Sequence, residues 1–221
     1  MQKPPLRLVV LIAVAVVLAG LVIWQLAFPG EDDASAEPDA AAARIEELRR
    51  ERNVAGLAKE VSASDARTAR RAVAALGRIG SEAVQQVKQA MRDPRPRVRE
   101  QAASSFAEVA QREDAAPLAR LAVEDKSPNV RAAAVSGLNR MCAYDQMESL
   151  LAAMMDGDII VRRRAYRAAK RFACVQVAYR ADDPPSKRRA AVQQLRAEWL
   201  KHRDRARRYW EMILKQRGKL R

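Results

Sequence analysis

Asp93-Pro-Arg-Pro-Arg-Val98-Arg99, Asp125-Lys-Ser-Pro-Asn-Val130-Arg131 and Asp156-Gly-Asp-Ile-Ile-Val161-Arg162 recur at intervals of about thirty residues, and an Ala-rich run follows each. A period of this length marks one supersecondary unit stacked on the next, so these stretches decide the fold. With each Val set as zero, the units extend back to Thr68 and forward to Lys187. Four residues on, every unit carries Ala: Ala72, Ala102, Ala134, Ala165 and Ala191. Eight on stand Leu76, Phe106, Leu138, Ala169 and Leu195, and eleven on, in the first four units, Ile79, Val109, Met141 and Phe172. Steps of 4, 4 and 3 put these side chains on one face of a helix. A small side chain at the Ala position lets the neighbouring helix come close, where a larger one would hold it away.

Second apolar runs lie between these helices: Val54–Val61, Ala83–Met91, Ala115–Val123 and Met147–Met155. Each follows a short polar break and reads as the partner helix of a hairpin. Asp93, Asp125 and Asp156 stand just before the next helix, where a carboxylate can take free backbone N–H groups and favour the helix dipole. Pro94, Pro96 and Pro128 suit a first turn, whose N–H groups are unpaired in any case. Low aromatic content, few glycines and no sustained period-two alternation argue against a β fold. The expectation is an all-α solenoid of about five hairpins over residues 42–186.

The Asp…Val-Arg…Ala…Leu pattern resembles the HEAT-repeat family, in particular the short bacterial HEAT-like repeats of phycobilisome lyases. The resemblance covers about residues 53–200, and the Thr68 and Lys187 units lack the Val-Arg pair, as terminal units often do. In that family the Arg after the Val commonly pairs with an acidic residue of a neighbouring unit. Arg99, Arg131 and Arg162 match that position, so the resemblance implies a structural ladder with Asp93, Asp125 and Asp156.

The net charge of +14 is unevenly placed: residues 156–221 hold 20 Lys and Arg against 7 Asp and Glu. Arg162, Arg163, Arg164, Arg167, Lys170 and Arg171 share one helix, and positions three or four apart form a cationic stripe. Residues 187–221 read as a long basic amphipathic helix. Its seam is expected to run through Val192, Leu195, Trp199, His202, Ala206, Tyr209, Ile213, Gln216 and Leu220, alternating steps of three and four. Arg163, Arg164, Arg167, Arg171, Arg203, Arg207, Arg208 and Lys215, with Trp210, are the candidate contacts for an anionic partner. An acidic protein or an anionic lipid surface suits this mixture of cations and aromatic rings. Nucleic acid is the weaker reading, because phosphate attraction alone is nonspecific and no reading motif accompanies it.

At the other end, residues 8–28 run uncharged behind Lys3 and Arg7, a length that matches a bilayer core of about 30 Å. Residues 1–7 are read as cytoplasmic and 8–28 as an uncleaved transmembrane signal anchor; the rival is a signal peptide cut after Ala36. Basic residues before the span and none from Leu8 to Ala43 place the repeat domain outside, which in a bacterium with two membranes is the periplasm. Residues 29–41, with Glu31, Asp32, Asp33, Glu37 and Asp39, read as an acidic tether. Cys142 and Cys174 follow equivalent positions of adjacent repeats, which leaves open either a disulfide or two buried small apolar side chains.

There is no Gly-rich phosphate loop, no Cys/His cluster and only one histidine, His202, so the sequence advertises no reaction, metal or cofactor. The reading is a non-catalytic, membrane-anchored scaffold for acidic protein partners. Its alternatives are a nucleic-acid-binding solenoid and an accessory subunit of a lyase-like enzyme.

Overall fold

The computed structural model describes residues 40–63 and 65–216. The chain divides into Met1–Ala40 and Ala41–Arg221, and the repeats belong to the second unit. The N-terminal segment 1–7, the expected span 8–28 and the tether as far as Asp39 lie outside the described residues, as does Leu220. Among the described residues no helix is long and apolar enough to cross a membrane.

Ten α-helices follow one another among the described residues: α1 (Ala40–Arg50), α2 (Val54–Ala63), α3 (Ala66–Ile79), α4 (Val84–Ala90), α5 (Pro96–Val109), α6 (Ala116–Glu124), α7 (Pro128–Arg140), α8 (Met147–Ala153), α9 (Ile159–Ala173) and α10 (Pro185–Gln216). The long helices α3, α5, α7, α9 and α10 stack in succession, and each short helix from α2 to α8 packs on the long helix that follows it. The result is an α-solenoid. Its core is the periodic face read from the sequence: Ala72, Ala102, Ala134 and Ala165 are fully buried, and so are Val98, Val130 and Val161. Gly77 and Gly137 carry the same economy further. A Cβ on Gly77 would stand 2.9 Å from the Ser105 Cβ, and one on Gly137 would stand 3.2 Å from the Ala107 Cβ.

The stack departs from five complete hairpins at its C-terminal end. After α9 no short helix forms. Residues 174–184 cross without regular structure, and Val177, Tyr179 and Ala181 fill the space a helix would take. The Tyr179 hydroxyl donates to the Met154 carbonyl at 2.5 Å and the Tyr166 hydroxyl to the Val177 carbonyl at 2.6 Å. These bonds give two carbonyls the partners that helical N–H groups would have supplied.

The seam of α10 also differs from the expected one. Ala191, Val192, Leu195, Trp199, Ala206, Trp210 and Leu214 are buried, whereas Tyr209 is exposed and His202 and Ile213 are only partly covered. Beyond Ala206 the helix follows steps of four, not the alternation of three and four of a coiled coil. A helix lying across another stack keeps its 3.6-residue period and is not held to a supercoil's 3.5.

Candidate interaction surface

The loops that open α5, α7 and α9 are built alike. Asp93, Asp125 and Asp156 each accept the backbone N–H two residues on, from Arg95, Ser127 and Asp158, at 2.8, 2.8 and 2.7 Å. The carboxylate therefore sets the turn that leads into the helix and does not cap the helix itself. True side-chain caps come from Asp65 on α3 and Asp158 on α9.

The loop carboxylates also receive arginines from one repeat earlier. Arg99 donates to both Asp125 oxygens at 2.8 and 3.0 Å, and Arg131 to both Asp156 oxygens at 2.6 and 2.8 Å. The remaining nitrogen of each arginine ties down its own loop: Nη1 of Arg99 binds the Asp93 and Pro94 carbonyls, and Nη1 of Arg131 the Asp125 and Lys126 carbonyls. Burial alone would push the Asp125 and Asp156 carboxyls up. The arginine and backbone hydrogen bonds outweigh it and hold both below the usual carboxylate value. Asp93 has no such arginine behind it, since that position is Ala69, and takes Arg95 from its own loop instead.

The ladder fails at the far end. Arg162 reaches the Asp156 and Gly157 carbonyls like its counterparts, but its Nε meets the Ala181 carbonyl at 2.7 Å where a carboxylate is due. Asp182, five residues before Lys187, holds the equivalent place in sequence. It is turned out to Arg180 at 3.2 Å. Arg188, the next arginine of the series, has Nε and Nη1 buried with no hydrogen-bond partner among the described residues.

The nine residues expected to meet an anionic partner separate into distinct settings. Trp210 is not at the surface. It is 5% exposed, its Nε1 donates to the Phe172 carbonyl at 3.1 Å, and its ring meets Phe172 edge-on. Arg171 lies over that ring at 4.8 Å and donates to the Asn139 carbonyl and side chain, so it pins α9 to α7. Arg164, though exposed, donates to the Ala132 carbonyl and the Ser136 hydroxyl of α7. On α10, Arg207 pairs with Glu211 at 2.9 Å and Arg203 with its neighbour Asp204 at 3.7 Å. Arg208 and Lys215 are exposed.

Arg163 and Arg167 remain on the outer face of α9, and Lys170 joins them one turn on. None of the three forms an ion pair or hydrogen bond with a described residue. Together with Tyr166, Tyr179 and Ala181 they line a cavity of about 230 Å³. The Tyr166 and Tyr179 rings stack at 4.8 Å, and the Lys170 ammonium stands 5.5 Å from the Tyr166 centroid. Both tyrosine hydroxyls are spent on carbonyls, so the pocket offers flat apolar walls under a cationic rim. Arg163 is near enough to Asp182 to help lower its carboxyl, a shift owed first to Arg180. The 163, 167, 170 spacing signals the rim in sequence. The tyrosine walls have no such signal, because Tyr179 sits in a segment without periodicity.

The cysteines are both free. Each takes a left-handed backbone at a helix end, with φ of 55° at Cys142 and 53° at Cys174. Arg171 stands at both sites: its Nη2 lies 3.6 Å from the buried Cys142 sulfur, and its carbonyl 3.7 Å from the exposed Cys174 sulfur. Cys174, His202, Arg205 and Tyr209 line a second cavity of about 470 Å³. Burial raises the Cys174 thiol above its usual value, which keeps it protonated and poorly nucleophilic at neutral pH. Among the described residues no group of three or more His, Cys, Asp or Glu could hold a metal ion.

This unit of loop and helix has a counterpart among known families. Residues 54–139 match the HEAT repeats. The match spans α2 to α7, the part of the stack in which the Arg99–Asp125 rung lies and the Arg131 rung begins. No curated protein matches the chain. Among solved structures, a chain in the complex of CpcE and CpcF of phycocyanin lyase from Nostoc sp. PCC7120 is 20% identical with a TM-score of 0.49, over 66% of this chain and 98% of that one. The matched residues make up the first part of the stack. The α9 pocket and α10 lie beyond the matched residues.

Proposed function

We propose that this chain is a non-catalytic interaction scaffold, held at a membrane by residues 8–28, whose basic α9 face receives an acidic protein segment. The observation that carries the reading is the pocket rim: Arg163, Arg167 and Lys170 converge without acidic partners over two tyrosine rings. The ladder arginines Arg99, Arg131 and Arg162, by contrast, are held by carboxylates or carbonyls. Three cations left unmatched on one helix face attract an extended carboxylate-bearing chain, and the rings give its apolar atoms a surface. In this reading the span places the repeats outside the cytoplasm, in the periplasm of a two-membrane bacterium. A solenoid suits the task because its stiff, open surface accepts an extended partner without remodelling.

Binding of a fluorescent oligo-glutamate peptide to the full chain tests the site. Replacing Arg163, Arg167 and Lys170 by Gln is expected to weaken binding roughly tenfold or more, given up to about 1 kcal/mol for each exposed charge contact. Affinity should also fall with salt. An unchanged affinity in the triple variant refutes the site. A compartment-sensitive reporter fused after Arg221 tests the topology separately, and a cytoplasmic readout refutes it.

A further inference from the structure

The chain carries its own candidate for the α9 pocket. Glu31, Asp32, Asp33, Glu37 and Asp39 put five carboxylates into nine residues, and no Lys or Arg stands between Arg7 and Arg44 to balance them. Arg163, Arg167 and Lys170 form the complementary set, unbalanced on α9. Of the acidic side chains near the rim, Asp182 is engaged by Arg180, and Asp183 lies on the Tyr179 side, where it acts on the Tyr179 hydroxyl.

Chain length decides between the same copy and another. Asp39 directly precedes α1, at the opposite end of the stack from α9. Stacked helices lie about 8–10 Å apart, so the three steps from α3 to α9 span roughly 24–30 Å. Nine residues reach at most about 30 Å when fully extended, and only the Glu31 end could go that far. The five carboxylates as a set can lie on the α9 face of a second copy and not on their own.

We infer that the chain self-associates head to tail, the acidic segment 31–39 of one copy lying on the Arg163–Arg167–Lys170 rim of the next. The contact is heterologous, with different surfaces on the two copies, so each copy keeps one free donor and one free acceptor. Copies sharing a bilayer would be concentrated relative to one another, which lets a weak exposed charge contact operate. The inference rests on the reading of the α9 rim as an acidic-segment site.

The test uses the full chain in detergent, followed by sedimentation velocity. One variant replaces Glu31 and Glu37 by Gln and Asp32, Asp33 and Asp39 by Asn; the other replaces Arg163, Arg167 and Lys170 by Gln. Wild type is expected to sediment above the monomer at about 0.05 M salt and to revert toward it at about 0.5 M. Each variant alone is expected to be monomeric. A mixture of the two is expected to regain a dimer, because one supplies the intact acidic segment and the other the intact rim. A monomeric wild type, association that persists in either variant alone, or a mixture that stays monomeric overturns the inference. Oligo-glutamate binding by the same wild-type sample separates the two failures: peptide bound by a monomeric chain leaves the rim's function standing.

Discussion

Gly77 lies inside α3, where an alanine would ordinarily stabilise the helix by about 0.8–1 kcal/mol. The solenoid reverses that sign. A Cβ at Gly77 would stand 2.8 Å from the Ser105 Oγ and 2.9 Å from the Ser105 Cβ. The hydroxyl can rotate away, but a Cβ cannot move without its backbone. Ser105 is 1% exposed in the middle of α5, and α5 is packed against α7 behind it. Relief must come from parting α3 and α5, which also loosens Ala72 and Ala102. Overpacking of this kind typically costs about 1–3 kcal/mol. Set against the propensity gain, Gly77→Ala is expected to destabilise by up to about 2 kcal/mol net, or up to roughly 8 °C in midpoint for a domain of this size.

A double-mutant cycle isolates the cause. Ser105→Gly removes the atoms that collide and loses stability itself, by about 1 kcal/mol from helix propensity and the lost hydroxyl contact. In that background Gly77→Ala is expected to become neutral or stabilising, giving a coupling of about 1–3 kcal/mol between the two sites. Chemical denaturation of the four proteins measures it. Additive effects, or stabilisation by Gly77→Ala alone, would refute the close approach of α3 to α5.

Other consequences can be checked in the same apparatus. Asp156→Asn is expected to cost about 1–3 kcal/mol at neutral pH, because it leaves Arg131 short of its charged partner. Asp125 and Asp156 have folded pKa values held below their unfolded ones, so their contribution is present above about pH 4 and is lost as pH falls through the lower folded value; the paired Asn variants should flatten that acid limb of the stability curve, and an unaltered limb counts against the ladder. Trp210→Ala is expected to cost about 3–5 kcal/mol and Tyr209→Ala less than about 0.5, and the reverse order in thermal melts would restore the heptad seam. Under native conditions a thiol reagent should label the exposed Cys174 slowly but still well ahead of the buried Cys142, so labelling of both at similar rates would contradict the burial assigned to Cys142.

The stacking register was legible because it depends on size and period alone. Ala at the fourth position and Val at zero have no other role, and both are buried wherever the pattern is strict. The Arg99 and Arg131 contacts were implied by the resemblance to the HEAT-repeat family and not by size or period. What sequence could not give was anything that depended on a departure from the repeat. Trp210 and Tyr209 are adjacent aromatic residues, and one step of four in place of three decides which is buried. Arg164 and Arg167 are chemically equal on one helix, yet the first meets the Ala132 carbonyl and the second faces solvent. The exposed carbonyls and hydroxyls of α7 make that difference, and composition does not record them. The aperiodic segment 174–184 could not be foreseen as the filler for a missing helix, so Tyr179 was invisible as a wall of the pocket.

The basic surface and the end of the ladder share one physical cause. Inside the stack each ladder arginine has a carboxylate because a further repeat follows to supply it. Replacing a short helix by residues 174–184 breaks that supply: Asp182 turns outward to Arg180, Arg162 settles on the Ala181 carbonyl, and Arg188 has buried nitrogens with no hydrogen-bond partner among the described residues. The same segment brings Tyr179 beside Tyr166 and opens the pocket beneath Arg163, Arg167 and Lys170. A guanidinium is too strongly charged to be left without compensation in a low-dielectric setting, so a terminus that ends the repeat without its acids is left electrostatically incomplete. Closing it with a further acidic loop would extend the scaffold. Leaving it open makes a site whose natural complement is carboxylate from outside the stack. Restoring the rung should therefore weaken the site. Ala181→Glu, which sets a carboxylate beside Arg162 and the pocket rim, is expected to lower oligo-glutamate affinity at some cost in stability, because Ala181 is buried, and unchanged affinity in the folded variant would separate the pocket from the ladder's end.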